Sequence, residues 1–243
     1  MTHRVLVIQN EDSDPVGHVG EWVGEFGIEF DVSKPYEGDV VPEQVPDGVH
    51  GLIVMGGAMG ANDDSDYAWL STTRALLTHA AHQDIPTVGI CLGAQVLATA
   101  IGGTVTRADV IEIGATEIQV DAHTATTDPL FSRYAGDTVV AAQWHQDWVA
   151  TLPDSAVVLA GSADCPVQAF RFGDNVYGVQ FHPEIDAAIF KEWANDTQDE
   201  AGQRSGRSMD EPIQAMIDQE IDMLNTWRPV FHSWAELVKH YKP

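Results

Sequence analysis

Over the first hundred positions, apolar residues fall in short continuous runs separated by polar or glycine-rich stretches. Arg4 to Gln9 (RVLVIQ), Ile28 to Val32, Gly51 to Met55 (GLIVM) and Pro86 to Ile90 (PTVGI) are too short for helices. Their content of Val and Ile predicts buried strands. Elsewhere the period lengthens. Trp69, Leu70, Leu76, Leu77, Ala80 and Ala81 share a helical spacing over 67–83, and LGAQVLATAIG runs helically from Leu92 until Gly102 and Gly103 close it. Strand, helix, strand in this order predicts right-handed crossovers and a mostly parallel central sheet flanked by helices, an α/β fold of the doubly wound, flavodoxin-like kind.

The middle of the chain reads differently. VIEIGATEIQV, DTVVAAQWHQ, AVVLAGS and VQAFRFGDNVYGVQFHP have strand patterns, the last a β-hairpin turning at Gly173, Asp174 and Asn175. Residues 195–212 are polar and predict a surface loop. Beyond them Ile213, Met216, Ile217, Ile221, Leu224 and Trp227 mark one amphipathic helix, and Phe231, Trp234, Leu237, Val238 and Tyr241 a second. The expected organisation is a domain over 1–195, with 196–243 a polar loop and C-terminal helical appendage of the same domain.

Composition narrows the partners. Twelve Lys and Arg against 37 Asp and Glu give a formal charge of −25, spread along the chain. Such a surface repels nucleic acid and anionic membranes, so neither is expected as a partner. There are two cysteines, Cys91 and Cys165, too few for a disulfide framework, and no apolar run is long enough for a membrane span. The cytoplasm is the expected location.

The most specific local feature is Gly89-Ile90-Cys91-Leu92-Gly93, a G-x-C-x-G sequence between a predicted strand and a predicted helix. A nucleophile elbow has this form: the flanking glycines let neighbouring backbone approach, and the side chain projects at a helix N-terminus where a thiolate is favoured. A buried cysteine can equally be a small hydrophobe, and the strand and helix on either side are what favour chemistry here. A second constellation is His182-Pro183-Glu184 at the end of a strand pattern. Residues two apart in extended chain face the same side, so Glu184 can hold His182 in one tautomer. His79 and His82 are spaced i, i+3 on a helix but lack acidic or sulfur partners at metal spacing; no metal site is expected there.

Taken together, GICLGAQ at 89–95, QFHPE at 180–184 and MGGAMG at 55–60 resemble the class I, triad-type glutamine amidotransferases. DYAWL at 66–70, WHQDW at 144–148 and QAFRFG at 168–173 are similar to the stand-alone branch related to the amidotransferase domain of GMP synthase. That branch commonly has proline where Ala68 stands, a difference confined to a helix start. The resemblance implies Cys91, His182 and Glu184 as catalytic residues and an oxyanion hole of the Gly57 and Leu92 N–H groups. It also implies substrate binding by Ala58, Gln95, His145, Gln146 and Asp147, with no cofactor. Hydrolysis of the glutamine side-chain amide follows, giving glutamate and ammonia.

Three readings stay open at this point. The chain can supply ammonia to a synthase subunit in trans, since it carries no Gly-rich phosphate loop of its own. It can hydrolyse γ-glutamyl small molecules of the glutathione or γ-glutamyl amine type. Or it can be a non-enzymatic interaction module, against which an intact triad argues.

Overall fold

Alternation along β1 (Arg4–Ile8) explains how one sheet acquires two covered faces. Val5 and Val7 join Ile53, Met55, Trp22, Trp227 and Trp234 in one core, while Leu6 and Ile8 join Leu52, Val54, Leu70, Leu76, Leu77, Val96 and Leu97 in the other. The computed structural model describes residues 2–195, 205–206 and 208–242. The remaining strands are β2 (Glu29–Ser33), β3 (Gly51–Val54), β4 (Thr87–Ile90), β5 (Thr104–Val120), β6 (Thr138–Thr151), β7 (Ala156–Gly161), β8 (Ala169–Phe172) and β9 (Val176–Val179). The helices are α1 (Gly17–Gly24), α2 (Trp69–His82), α3 (Leu92–Ala100), α4 (Ala187–Asn195) and α5 (Asp210–His240).

The strands form one sheet in the order β2-β1-β3-β4-β9-β8-β7-β5-β6. The half from β2 to β9 is parallel, and the half from β9 to β6 antiparallel. This is the expected doubly wound α/β sheet, with an antiparallel extension longer than the hairpin alone. That hairpin turns at Gly173 (φ 63°) as predicted, its turn N–H groups at Asp174 and Asn175 donating to Asp84 Oδ1. From β1 the chain steps outward to β2 and then back across to β3. Ligands of parallel sheets collect beyond the strand ends at such a reversal. Asn10, the glycine loop after β3 and the elbow after β4 all lie there.

The C-terminal segment differs from its sequence reading. In place of two helices, residues 210–240 form a single one that continues through Pro229. Proline removes one backbone donor, but Met216, Trp227, Val230, Phe231, Trp234 and Val238 on both sides of it join one core and hold the helix together. Ile217 and Ile221 of the first predicted stripe, by contrast, are exposed. The polar stretch 195–212 lies mostly outside the described residues. Trp227 stacks on Phe181 with centroids 4.3 Å apart and donates to Val140 O at 3.1 Å, so α5 buttresses the chain immediately before His182. We expect Trp227→Ala to cost about 3–5 kcal/mol in urea unfolding, as truncation of a buried aromatic does. Among the described residues no helix is long and apolar enough to cross a membrane.

Candidate active site

Cys91 occupies the turn from β4 into α3 with φ 49° and ψ −108°, a conformation that costs a non-glycine residue energy. The turn survives because its surroundings over-determine it. The Cys91 N–H donates to Val179 O at 2.8 Å, and the two glycines of the elbow admit backbone where side chains would collide. A Cβ on Gly89 would lie 2.5 Å from the Gly93 carbonyl, and one on Gly93 would lie 2.0 Å from Val54 O. The thiol is left at the N-terminus of α3 and is buried.

The glycine loop after β3 packs directly on this elbow. A Cβ on Gly57 would meet Leu92 Cδ2 at 3.2 Å, so the two residues expected to form the oxyanion hole adjoin one another. Asn10 Nδ2 donates to the carbonyls of Met55 and Gly56, at 2.8 and 3.2 Å, and so fixes the orientation of the loop's peptides. The Ala58 N–H donates to Glu11 Oε2 at 3.0 Å.

His182 and Glu184 follow β9. The His182 N–H is anchored on Ala142 O at 2.9 Å, its ring packs edge-on against Trp193, and Nδ1 lies 2.6 Å from Glu184 Oε1. Nε2 is buried without a fixed partner and is the ring atom left to serve Cys91. Burial opposes protonation of His182, but the Cys91 sulfur, and after it the negative charge of the acid cluster that includes Asp14 and Glu11, outweigh it. The imidazole is therefore held above its ordinary range. An imidazolium so favoured beside a sulfur at a helix N-terminus is the arrangement that yields a reactive thiolate.

Burial also pushes the Glu184 carboxyl up to about 8, and the neighbouring Asp14 is raised well above its usual value by burial and by the charge of Glu184. The native pair thus retains a proton that the unfolded chain releases near the ordinary value of 4.5. Its contribution to stability is full below that value and is lost as pH rises toward about 8. We expect the unfolding free energy of the wild type to fall across this window relative to the double variant Asp14→Asn/Glu184→Gln, measured by denaturant titration at several pH values.

The residues expected to hold substrate are placed less simply. Gln95 is buried, and its amide donates to Asp147 O at 2.8 Å and Gln180 Oε1 at 3.2 Å; Gln180 in turn reaches Cys91 Sγ at 3.6 Å. Gln146 donates to Ala108 O, and the Asp147 carboxylate pairs with Arg107 at 3.1 Å. His145 Nε2 lies 3.1 Å from both Glu112 Oε2 and Gln143 Oε1, so the ring is already engaged by protein groups. Sequence reasoning missed Gln180, although it stands in the QFHPE motif. It also missed Asp14, one acid among many.

Two trios could offer a metal three ligand atoms within 4.8 Å of one another: Glu112, His145 and Cys165, and Asp14, His182 and Glu184. In the first, Ser162 and Gln168 as well as His145 already hold the Glu112 carboxylate. Burial and that carboxylate push the Cys165 thiol up to about 12, which keeps it a neutral packing group. The second belongs to the site just described.

The profile of the family described as Glutamine amidotransferase class-I matches residues 22–193. A glutamine amidotransferase-like protein of Salmonella typhimurium is 27% identical over 230 residues, which is 93% of this chain and 95% of that protein. Gamma-glutamyl peptidase 3 of Arabidopsis thaliana is 30% identical over 175 residues, 70% of this chain and 68% of the relative. The crystal structure of a glutamine amidotransferase from Methylobacillus flagellatus superposes with a TM-score of 0.83 at 28% identity, covering 100% of this chain and 96% of that one.

Proposed function

The chain belongs to the class I glutamine amidotransferase family, whose members are cysteine-dependent amidohydrolases, and from that premise we propose that it hydrolyses the side-chain amide of glutamine through a Cys91–His182–Glu184 triad. The observation that carries this is the 2.6 Å contact of His182 Nδ1 with Glu184 Oε1, made where Nε2 is left for a thiol held in a strained elbow. In the first half of the reaction the Cys91 sulfur attacks the amide carbon and its proton passes to His182. The oxyanion is received by the N–H groups of Leu92 and Gly57, and His182 returns the proton to the departing ammonia. A γ-glutamyl thioester on Cys91 remains. Water, deprotonated by His182, then releases glutamate. Glu184 fixes the imidazole tautomer throughout, and these steps draw on no cofactor.

Gln95 acts in this scheme by steering Gln180 onto the sulfur, and Ala58 with residues 145–147 forms the wall that receives the amino-acid end of the substrate. Residues 196–243 belong to the same domain as 1–195, a reading supported by the packing of Trp227 against Phe181. The released ammonia can be passed to a synthase subunit in trans. The likeness to a γ-glutamyl peptidase over most of both chains favours a second reading, in which the leaving group is the amine of a γ-glutamyl peptide or amide. Incubation of the purified protein with glutamine and with a panel of γ-glutamyl peptides separates the two. Glutamine turnover exceeding that of every peptide supports the first, and the reverse order the second. Glutamine turnover that rises on adding a synthase supports transfer in trans.

A further inference from the structure

Beside the His182–Glu184 pair, three carboxylate oxygens lie buried with no donor: both Oδ atoms of Asp14 and Oε2 of Glu184. Asp14 is 1% exposed. The loop between β1 and α1 delivers it deliberately. His18 N–H donates to Glu184 O at 2.9 Å, and a Cβ on Gly17 would lie 2.2 Å from that same oxygen, so the start of α1 is docked on the Glu184 backbone. On the opposite side Asp14 Oδ2 and His182 Cε1 both crowd Gly56, at 2.2 and 3.1 Å from where a Cβ would stand. One ligand-type atom each from Asp14, His182 and Glu184 lies within 4.8 Å of the other two.

Buried acceptors without donors are costly, and two adjacent ionised carboxylates more so. The titratable groups bearing on Asp14 are Glu184 and His182 beyond β9 and Glu11 in its own loop; the Gly56 side contributes none. At the start of α1, His18 is turned toward Glu21 and Asp186 instead. No Lys or Arg pairs with Asp14 or Glu184 among the described residues. A single proton resolves the conflict, because it converts one of the orphaned acceptors into a donor to the other.

We propose that Asp14 and Glu184 share one proton, which makes Asp14 a positioning residue that holds Glu184 Oε2 and so keeps Oε1 singly charged and aimed at His182 Nδ1. This rests on the assignment of His182 and Glu184 made above. Burial first, and then the charge of Glu184, holds the Asp14 carboxyl protonated well above the usual carboxylate range, in keeping with the geometry. Without that donor, Glu184 would take up the proton alone. Its negative charge would fade, His182 would accept a proton less readily, and Cys91 would spend less time as thiolate.

Alkylation of Cys91 by iodoacetamide tests this without any substrate, so its outcome is separable from what the enzyme hydrolyses. Rates are measured from about pH 5 to 9 for wild type, Asp14→Asn and Asp14→Ala, with circular dichroism to confirm folding. The asparagine amide can donate to Oε2 but cannot ionise. The expected result is an Asp14→Asn rate at neutral pH within about twofold of wild type. Asp14→Ala is expected to react about fivefold more slowly, with its midpoint moved to higher pH. Asp14→Asn slowed fivefold would overturn the proposal, since Asp14 would then be needed as an anion, and this reading stands even if the alanine variant does not fold. A folded Asp14→Ala with the wild-type profile would overturn it as well. A wild-type thiol titrating as an ordinary cysteine would remove the triad and the proposal together.

Discussion

Replacement of Cys91 by alanine is expected to lower kcat by about 10⁴-fold or more while leaving the fold intact. The magnitude follows from what is lost: with the nucleophile gone, no thioester forms, and only binding and the oxyanion hole remain to assist water. The fold is expected to survive because Cys91 holds its elbow by backbone. Its N–H bonds to Val179 O and its carbonyl accepts from Gln95 N–H at 3.1 Å, and alanine keeps both. The thiol accepts from Gln180 Nε2 at 3.6 Å and interacts with His182, and neither contact shapes the backbone of the elbow. Activity is read as amide turnover, and folding as the thermal midpoint measured in parallel. A variant that lost activity only in proportion to lost folded protein would point to a structural cysteine.

Gly93→Ala carries the second large effect, this time on stability. Its Cβ would stand 2.0 Å from Val54 O and 2.7 Å from the Val54 carbonyl carbon, both backbone atoms of a central strand that cannot swing aside. Helix α3 must then lift from β3, opening the seam on which Leu92, Val96 and Leu97 are packed. We expect a loss of about 3 kcal/mol in denaturant unfolding, at the upper end of what overpacking costs. Activity falls as well in the fraction that still folds, because α3 carries the Leu92 N–H and the thiol together. Gly24→Ala is the control: its nearest neighbour would be a Phe30 ring carbon at 3.9 Å, so it is expected to be neutral or slightly stabilising.

How much of this was legible in the sequence depended on whether the cause was local. The strands β1, β3 and β4 are buried on both faces and therefore read as continuous apolar runs, found to within a residue or so. The elbow was legible because its steric demand falls on two glycines at fixed distance from Cys91, and His182 with Glu184 because a strand end places residues two apart side by side. Helix α1 was not seen. Its sequence, GHVGEWVG, has three glycines and no side-chain cap, and it is held by packing of Val19, Trp22 and Val23 rather than by propensity. The C-terminal stripes read as two helices, and burial on both sides of Pro229 joins them into one. Asp14 was hidden by composition: among 37 acids, nothing in the neighbourhood of Glu11, Asp12 and Asp14 distinguishes the one that turns inward. The network of Glu112, His145, Gln143 and Gln168 joins residues as much as 56 apart in sequence, and only the sheet order brings them together.

The central claim is that Cys91 carries the glutamyl group between the two halves of the reaction. Acid quenching of the wild-type protein during turnover of glutamine or a γ-glutamyl peptide, followed by peptide mass spectrometry, tests it most directly. The account predicts a glutamyl adduct on the peptide containing Cys91, labile to hydroxylamine and lost when substrate is exhausted. Steady turnover with that peptide unmodified, and undiminished in Cys91→Ala, would contradict it.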